Sequence, residues 1–161
     1  MKFIFIFILT VNSISTSYSQ YNSPESVTYD TVSSRYFISN TSSSKIVQRD
    51  RNGVVTDFVT VGGSIHGVTV HNNKIYVCNG TRVRGYDLMT GAEVMNVLIT
   101  GSAFLNDLAA DANGMLYISD FNGKRIYKLN TNTQEYWIYV ANTANTPNGV
   151  YVDAQRNRLL L

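Results

Sequence analysis

Four side chains that can bind a cation or transfer a proton recur at regular spacing along this sequence: Glu25, His66, Asn106 and Asn148. The carboxylate and the two amides supply oxygen donors, which are the ligands that hard divalent cations prefer. The imidazole can add a nitrogen donor or a proton-transfer group. Asparagine beside a turn often bonds only to nearby backbone, so a purely structural role stays open beside the site hypothesis.

The spacing comes from an internal repeat. Gap-free similarity places four repeat starts 40 to 42 residues apart, and these starts are Pro24, Ile65, Leu105 and Pro147. Each unit alternates apolar and polar residues in four short strands that are joined by polar turns, which is the pattern of a propeller blade. The sequence therefore predicts an all-β protein, a β-propeller of four-stranded antiparallel blades with about three and a half blades of a probable six. A β-sandwich also has many short strands, but it needs no such regular recurrence.

The repeat gives the four polar residues a common place in the fold. Each is expected immediately before the first strand of its unit, and the first strand of a propeller blade lines the central channel. The sequence thus predicts a ring of polar side chains at one mouth of that channel. Asp30, Asp111 and Asp153 also recur in register, at the far end of the same strands. Because turn residues follow them, we interpret these aspartates as turn-formers.

Composition narrows the classes of partner. The 161 residues carry a formal net charge of only +2, and the Lys and Arg residues are scattered, so we expect no nucleic-acid-binding surface. The single cysteine, Cys78, cannot form an internal disulfide, and its place in an alternating strand predicts a buried, inert thiol.

The first nineteen residues are typical of an export signal. Lys2 precedes the apolar run Phe3–Leu9, and small residues stand at Ser17 and Ser19 before Gln20. The apolar run is too short to span a bilayer. We expect residues 1–19 to be a cleaved signal peptide and residues 20–161 to be the propeller part. The mature protein is then secreted or periplasmic and holds no membrane segment, while its oligomeric state is left open.

Three phrases carry a family resemblance: "PES" near the start of the mature chain, "LNDLAADANGMLYISD" and "TPNGVYVD". Together they resemble the gluconolactonase and regucalcin-like family of six-bladed β-propellers. The resemblance implies one divalent metal at the channel mouth (calcium, magnesium, manganese or zinc), with Glu25, Asn148 and Asn106 as its ligands. It also implies a small-molecule substrate and hydrolysis of a sugar lactone or a similar small ester. We assign binding of this substrate to Asn106 and His66.

The sequence departs from that family in two ways. The Asp that serves the family as a further ligand and base belongs to a later blade, so we expect it beyond Leu161 and leave the catalytic residue unassigned. The family's substrate-contacting Arg before the "ND" pair is not evident in "TGSAFLND". Six blades of this period need about 250 residues, so we expect the sequence to be a fragment, inactive on its own, of a longer protein.

A second function remains open. Propellers built from NHL repeats share the phrases "PNGV" and "ISD" without catalysing a reaction. The alternative is therefore a non-catalytic propeller that binds a protein or glycan ligand through its channel face. That function needs no metal.

Overall fold

The computed structural model describes residues 20–161 and shows an all-β chain. Three four-stranded antiparallel sheets follow one another, each a simple meander, and a two-stranded hairpin comes after them. The strands of the first two sheets are β1 (Pro24–Asp30), β2 (Arg35–Asn40), β3 (Lys45–Arg49), β4 (Val55–Thr60), β5 (Ile65–His71), β6 (Lys74–Asn79), β7 (Arg82–Asp87) and β8 (Glu93–Leu98). Those of the third sheet and the hairpin are β9 (Leu105–Ala110), β10 (Met115–Asp120), β11 (Arg125–Asn130), β12 (Tyr136–Val140), β13 (Tyr151–Asp153) and β14 (Arg158–Leu160).

The turns that join β1 to β2, β9 to β10 and β13 to β14 are built on aspartate side chains. Asp30 accepts hydrogen bonds from the backbone N–H groups of Val32 and Ser33. Asp111 and Asp153 accept equivalent bonds from residues two to four positions further along the chain. These bonds satisfy backbone donors that the strands leave unpaired. The prediction that the recurring aspartates form turns is confirmed.

The sheets are arranged side by side around a common axis. The first strand of each sheet contacts the first strand of the next, so β1 packs beside β5, β5 beside β9, and β9 beside β13. First strands that are neighbours in space are the innermost strands of propeller blades. The predicted all-β propeller of four-stranded antiparallel blades is therefore confirmed, and we call the three sheets blades one, two and three.

The hydrophobic core lies between the blades. One buried cluster joins blades one and two, and a second joins blades two and three. The first includes Phe37, Ile46, Ile65, Val77 and Tyr86, and the second includes Cys78, Val83, Leu105, Ile118 and Tyr127. Cys78 is free and fully buried, as the sequence predicts. Since each blade buries its apolar residues against the next, the blades hold one another in register.

The first strand of blade one exposes an apolar side chain that is buried in the other two blades. Val68 and Leu108 are 4 % and 3 % exposed, whereas Val27, at the same position of the repeat, is 61 % exposed. Within residues 20–161 no blade covers that side of β1.

The predicted signal peptide, residues 1–19, lies outside the described residues, and its prediction is therefore not tested by the structure. Within residues 20–161, no helix is long and apolar enough to cross a membrane.

Candidate functional site

A β-bulge marks the same position on the innermost strand of all three blades. Between Leu105 and Leu108 the inner strand advances three residues while its partner β10 advances two. The same one-residue excess occurs between Ile65 and Val68, and Glu25 is the extra residue of β1. A bulge re-aims the side chains around it and is frequent beside functional sites. The three polar residues Glu25, His66 and Asn106 all lie in these bulges.

The bulges correct one expectation about strand boundaries. The sequence predicts that each polar residue stands immediately before its strand. In the structure β1, β5 and β9 each begin one residue before the polar residue, so Glu25, His66 and Asn106 are the second residues of these strands. Pairing of the preceding residue across the bulge extends each strand past the irregular position. Asn148 also departs from the expectation, because β13 begins at Tyr151, three residues after it and not immediately after it.

Asn106 has a buried and unpartnered oxygen. The residue is 7 % exposed, and its side-chain Oδ1 atom is fully buried without a hydrogen-bond partner. A buried carbonyl oxygen without a donor costs about 1–3 kcal/mol, so native structures retain few of them. An acceptor in this state is suited to a cation or to a hydroxyl group of a ligand.

Asp107, the next residue, lies between Gly67 of blade two and Gly149 of the segment before β13. A Cβ atom on Gly67 would stand 2.4 Å from Asp107 Oδ1 and 2.5 Å from its Cα atom. On the other side, Asp107 Oδ2 accepts a 2.9 Å hydrogen bond from the backbone N–H of Val150. The carboxylate thus fills the space that the missing side chain of Gly67 leaves at the channel.

Electrostatics connect Asp107 with Glu25. Burial raises the pKa of the Asp107 carboxyl, although the N–H groups of Val150 and Leu108 oppose the shift. Glu25 keeps contact with solvent, yet partial burial of its carboxyl and then the nearby Asp107 carboxylate raise its pKa. Burial, followed by the charges of Asp107 and Glu25, also raises the pKa of the Cys78 thiol. The two carboxylates therefore lie close enough to repel each other.

His66 contacts an aromatic side chain and a hydroxyl group. Its ring lies 4.7 Å from the Phe104 ring in an edge-to-face arrangement, and its Nε2 atom is 2.8 Å from Ser64 Oγ. Burial lowers the pKa of the imidazole. A lowered pKa favours the neutral ring at pH 7, and a neutral ring can both donate and accept a hydrogen bond.

Asn148 is held by its backbone. Ser119 Oγ donates a 2.8 Å hydrogen bond to the Asn148 carbonyl and accepts a 2.9 Å bond from Asp107 N–H. The Asn148 residue is exposed. Ser119 therefore ties the segment before β13 to the site residue of blade three.

The four predicted residues are placed at one end of the inner strands, but they do not form a compact cluster by themselves. No hydrogen bond joins the side chains of Glu25, His66, Asn106 and Asn148. Nor does any group of three or more His, Cys, Asp or Glu side chains converge within residues 20–161 in a way that would hold a metal ion. A divalent cation here would need amide oxygens in addition to a carboxylate, and the unpartnered Asn106 Oδ1 fits that requirement.

Sequence reasoning missed Asp107 as a central residue of this site. The sequence analysis assigns roles to the second residue of each repeat and to the aspartates at the ends of the first strands, and it gives Asp107 no role. The third position holds Ser26, Gly67, Asp107 and Gly149. A lone carboxylate flanked by glycines in adjacent repeats signals a side chain that needs the space of its neighbours.

Comparison with known proteins agrees with the fold. No known family model and no curated protein matches the chain. Solved structures that are similar include one of a nidogen/laminin complex, with a TM-score of 0.77 and 18 % identity over 84 % of this chain and 55 % of that one. A streptogramin B lyase gives a TM-score of 0.73 and 17 % identity over 88 % and 49 % of the two chains. A hydrazine synthase from Kuenenia stuttgartiensis gives 0.76 and 18 % over 95 % and 44 %.

These similarities support the propeller fold and nothing finer. The chain spans about half the length of the structures it resembles. The similar propellers include a lyase and a member of a protein complex, so the shared fold does not select one activity. The gluconolactonase resemblance is not confirmed by these comparisons.

Proposed function

We propose that this chain is part of an exported β-propeller whose channel mouth binds a divalent cation. In the whole protein, the site hydrolyses a sugar lactone or a similar small ester. The observation that carries the proposal is the buried, unpartnered Oδ1 atom of Asn106, at a bulge that recurs in three blades. A β-bulge re-aims the side chains around it and is frequent beside functional sites.

The charges around the site support a cation. Burial and then the nearby Asp107 carboxylate raise the pKa of Glu25, so the two carboxylates repel each other when both are ionised. A bound cation would relieve this repulsion. Glu25, Asn106 and Asn148 would hold the ion, with carboxylate and amide oxygens. The ion would supply polarisation of the ester carbonyl and stabilisation of the oxyanion.

The remaining residues have separate tasks in this proposal. The neutral His66 imidazole orients a hydroxyl group of the substrate, beside Asn106. We do not assign Asp107 as the base, because its Oδ2 atom already accepts the bond from Val150. The base is expected from an Asp of a later blade.

A non-catalytic binding propeller is the second candidate. It is favoured by the structural use of Asp107 and Ser119, whose hydrogen bonds connect backbone segments and need no metal. One similar fold was also solved in a complex between nidogen and laminin. In this case the channel face would take a protein or glycan ligand.

Calorimetric titration of calcium and of manganese into the full-length protein distinguishes the metal-dependent hydrolase from the binding propeller. We expect binding that weakens at least about tenfold in Glu25→Gln and in Asn148→Ala, since each removes one oxygen donor. Glu135→Gln, at a turn at the opposite end of blade three, is the matched control and should bind as the wild type does. No binding, or binding unchanged in the two site variants, overturns the metal-dependent hydrolase and leaves the binding propeller.

A further inference from the structure

The sequence contains five asparagine–glycine pairs, and a pair of this kind can react with itself. They are Asn52–Gly53, Asn79–Gly80, Asn113–Gly114, Asn122–Gly123 and Asn148–Gly149. The backbone nitrogen of the glycine attacks the side-chain carbonyl carbon of the asparagine, and the missing Cβ atom of glycine leaves that approach open. The reaction requires a glycine N–H that is free to lose its proton. A hydrogen bond from this N–H group therefore protects the pair.

Hydrogen bonds hold four of the five glycine N–H groups. Gly53, Gly80 and Gly114 donate to backbone carbonyl oxygens at 3.0 to 3.1 Å. Gly123 donates to the Oδ1 atom of Asp120, also at 3.1 Å. Each of these glycines lies in a connection between two consecutive strands of one blade, where nearby residues supply the acceptor. We expect these four pairs to react slowly in the folded protein.

Asn148–Gly149 differs from the other pairs. Among residues 20–161, no acceptor receives a hydrogen bond from Gly149 N–H. Both residues of the pair are exposed, whereas each of the other four pairs contains at least one residue that is partly or fully buried. The pair lies in the segment between β12 and β13, which connects blade three to the hairpin. It is therefore the pair that the fold leaves open to the reaction.

One hydrogen bond does act on the peptide group of this pair, and it acts on the carbonyl side. Ser119 Oγ donates to the Asn148 carbonyl oxygen at 2.8 Å. A donor at the carbonyl oxygen polarises the peptide group and makes its N–H more acidic. The bond thus keeps the pair at the channel mouth and leaves the Gly149 nitrogen available.

We infer that Asn148–Gly149 is a self-modification site, at which the folded protein converts Asn148 to aspartate or isoaspartate. The Gly149 nitrogen loses its proton and bonds to Asn148 Cγ. The bond from Cγ to the amide nitrogen of the side chain breaks, and that nitrogen takes up the proton and leaves as ammonia. Water then adds to one of the two carbonyl carbons of the cyclic imide and breaks its bond to the ring nitrogen. The product carries one new carboxylate, and water is the only co-reactant.

The new carboxylate changes the charge of the channel mouth. A Cβ atom on Gly149 would lie 3.8 Å from Asp107 Oδ2, so the backbone of the pair borders an existing carboxylate. The effect on cation binding, unlike the modification itself, rests on the proposed function. If the mouth binds a cation, Asn148→Asp should bind manganese more tightly than the wild type, whereas Asn148→Ala should bind it less tightly.

The test follows all five pairs in one sample of the full-length protein. The protein is incubated at mildly alkaline pH with EDTA, which prevents a bound cation from protecting the site. Mass spectrometry of its proteolytic peptides measures the replacement of each amide by a carboxyl group and the content of isoaspartate. We expect Asn148 to convert about two- to tenfold faster than each of the other four asparagines, a factor that corresponds to one backbone hydrogen bond.

Two controls show whether the fold selects the site. Gly149→Ala adds a Cβ atom beside the attacking nitrogen but meets only an ordinary contact, so it should fold and convert Asn148 more slowly. Thermal melting verifies that it folds. In urea all five N–H groups are exposed to water, and Asn148 should lose its lead. Conversion of Asn148 that is no faster than that of the other four, an equal lead in urea, or an unchanged rate in Gly149→Ala overturns the inference.

The outcomes also separate this inference from the proposed function. Selective conversion of Asn148 in a protein that binds no cation supports the self-modification site and overturns only the metal proposal. Cation binding by a protein in which Asn148 does not convert selectively overturns the self-modification site and leaves the metal proposal standing.

Discussion

The Oδ2 atom of Asp107 accepts a 2.9 Å hydrogen bond from the backbone N–H of Val150, and this bond ties blade three to the hairpin β13–β14. The same tie joins blades one and two, where Ser26 Oγ accepts a 3.2 Å bond from Val68 N–H. In both cases the third residue of one repeat bonds the fourth residue of the next. Gly67 replaces that side chain in blade two, and the space is filled by Asp107.

Substitution of Gly67 by Ala should destabilise the chain. The new Cβ atom would stand 2.5 Å from the Asp107 Cα atom, so backbone would have to move. We expect a loss of about 1–3 kcal/mol in the free energy of unfolding, measured by urea denaturation. Gly149→Ala is the control, because its Cβ would meet Asp107 Oδ2 at an ordinary 3.8 Å. If both variants lose the same stability, the close approach at Gly67 is not the cause.

Truncation of a valine in blade two should lower the free energy of unfolding far more than truncation of the equivalent valine in blade one. Val68 is 4 % exposed and Val27 is 61 % exposed. We expect Val68→Ala to lower the free energy of unfolding by about 1.5–3 kcal/mol and Val27→Ala by less than about 0.5 kcal/mol. Chemical denaturation of the two variants measures this. Similar losses at both positions would mean that another surface covers β1 in solution.

Ser119→Ala should loosen the segment before β13. The hydroxyl accepts from Asp107 N–H and donates to the Asn148 carbonyl, so its removal leaves both groups without that partner. A loss of about 1–3 kcal/mol is expected, together with faster amide hydrogen exchange at Asp107. Ser42→Ala removes a hydroxyl that bonds only to Ser23 Oγ at the exposed surface and should be close to neutral. Unchanged exchange at Asp107 in Ser119→Ala would contradict this role.

The contributions of two glutamates to stability should change with pH in opposite directions. Burial and then Asp107 raise the pKa of Glu25, so the stability that this group contributes is present when it is protonated and is lost as the pH rises. Glu25→Gln should therefore melt higher than the wild type at pH 7, by at most about 3 °C. The difference should disappear toward about pH 4, where both proteins carry a neutral group.

Glu93 provides the opposite case. Burial raises its pKa, but hydrogen bonds from Arg84 and Asn96 and the Arg84 charge outweigh burial and lower it. Its contribution is present above the unfolded-state pKa and is lost as the pH falls. Glu93→Gln should melt lower than the wild type at pH 7 and approach it in acid. Parallel pH profiles of Glu25→Gln and Glu93→Gln would contradict the assignment of causes to the two shifts.

The sequence predicts the fold well because the repeat carries it. The four short strands predicted for each repeat are present in all three blades, since alternation and turn residues act locally. The repeat period then fixes how the blades follow one another. The buried, inert Cys78 followed from the same alternation.

The candidate site is predicted less completely. The bulges at Glu25, His66 and Asn106 depend on pairing with the second strand of each blade, which alternation along one strand does not reveal. The role of Asp107 depends on the absence of a side chain at Gly67, about forty residues earlier in the sequence. Metal binding itself stays a prediction, because a ligand set made partly of amides has no distinctive spacing in the sequence.

Manganese broadening of amide signals tests the central proposal most directly. Manganese(II) added in small amounts to the nitrogen-15-labelled chain shortens the relaxation of nuclei close to the ion. The proposal predicts selective broadening of the signals of Glu25, Asn106 and Asn148, and its loss in Glu25→Gln. Signals of the turns at the other end of the blades, such as those near Asp50 and Glu135, should keep their width. Broadening that is confined to those distant carboxylates, or that persists unchanged in Glu25→Gln, would contradict a cation site at the channel mouth.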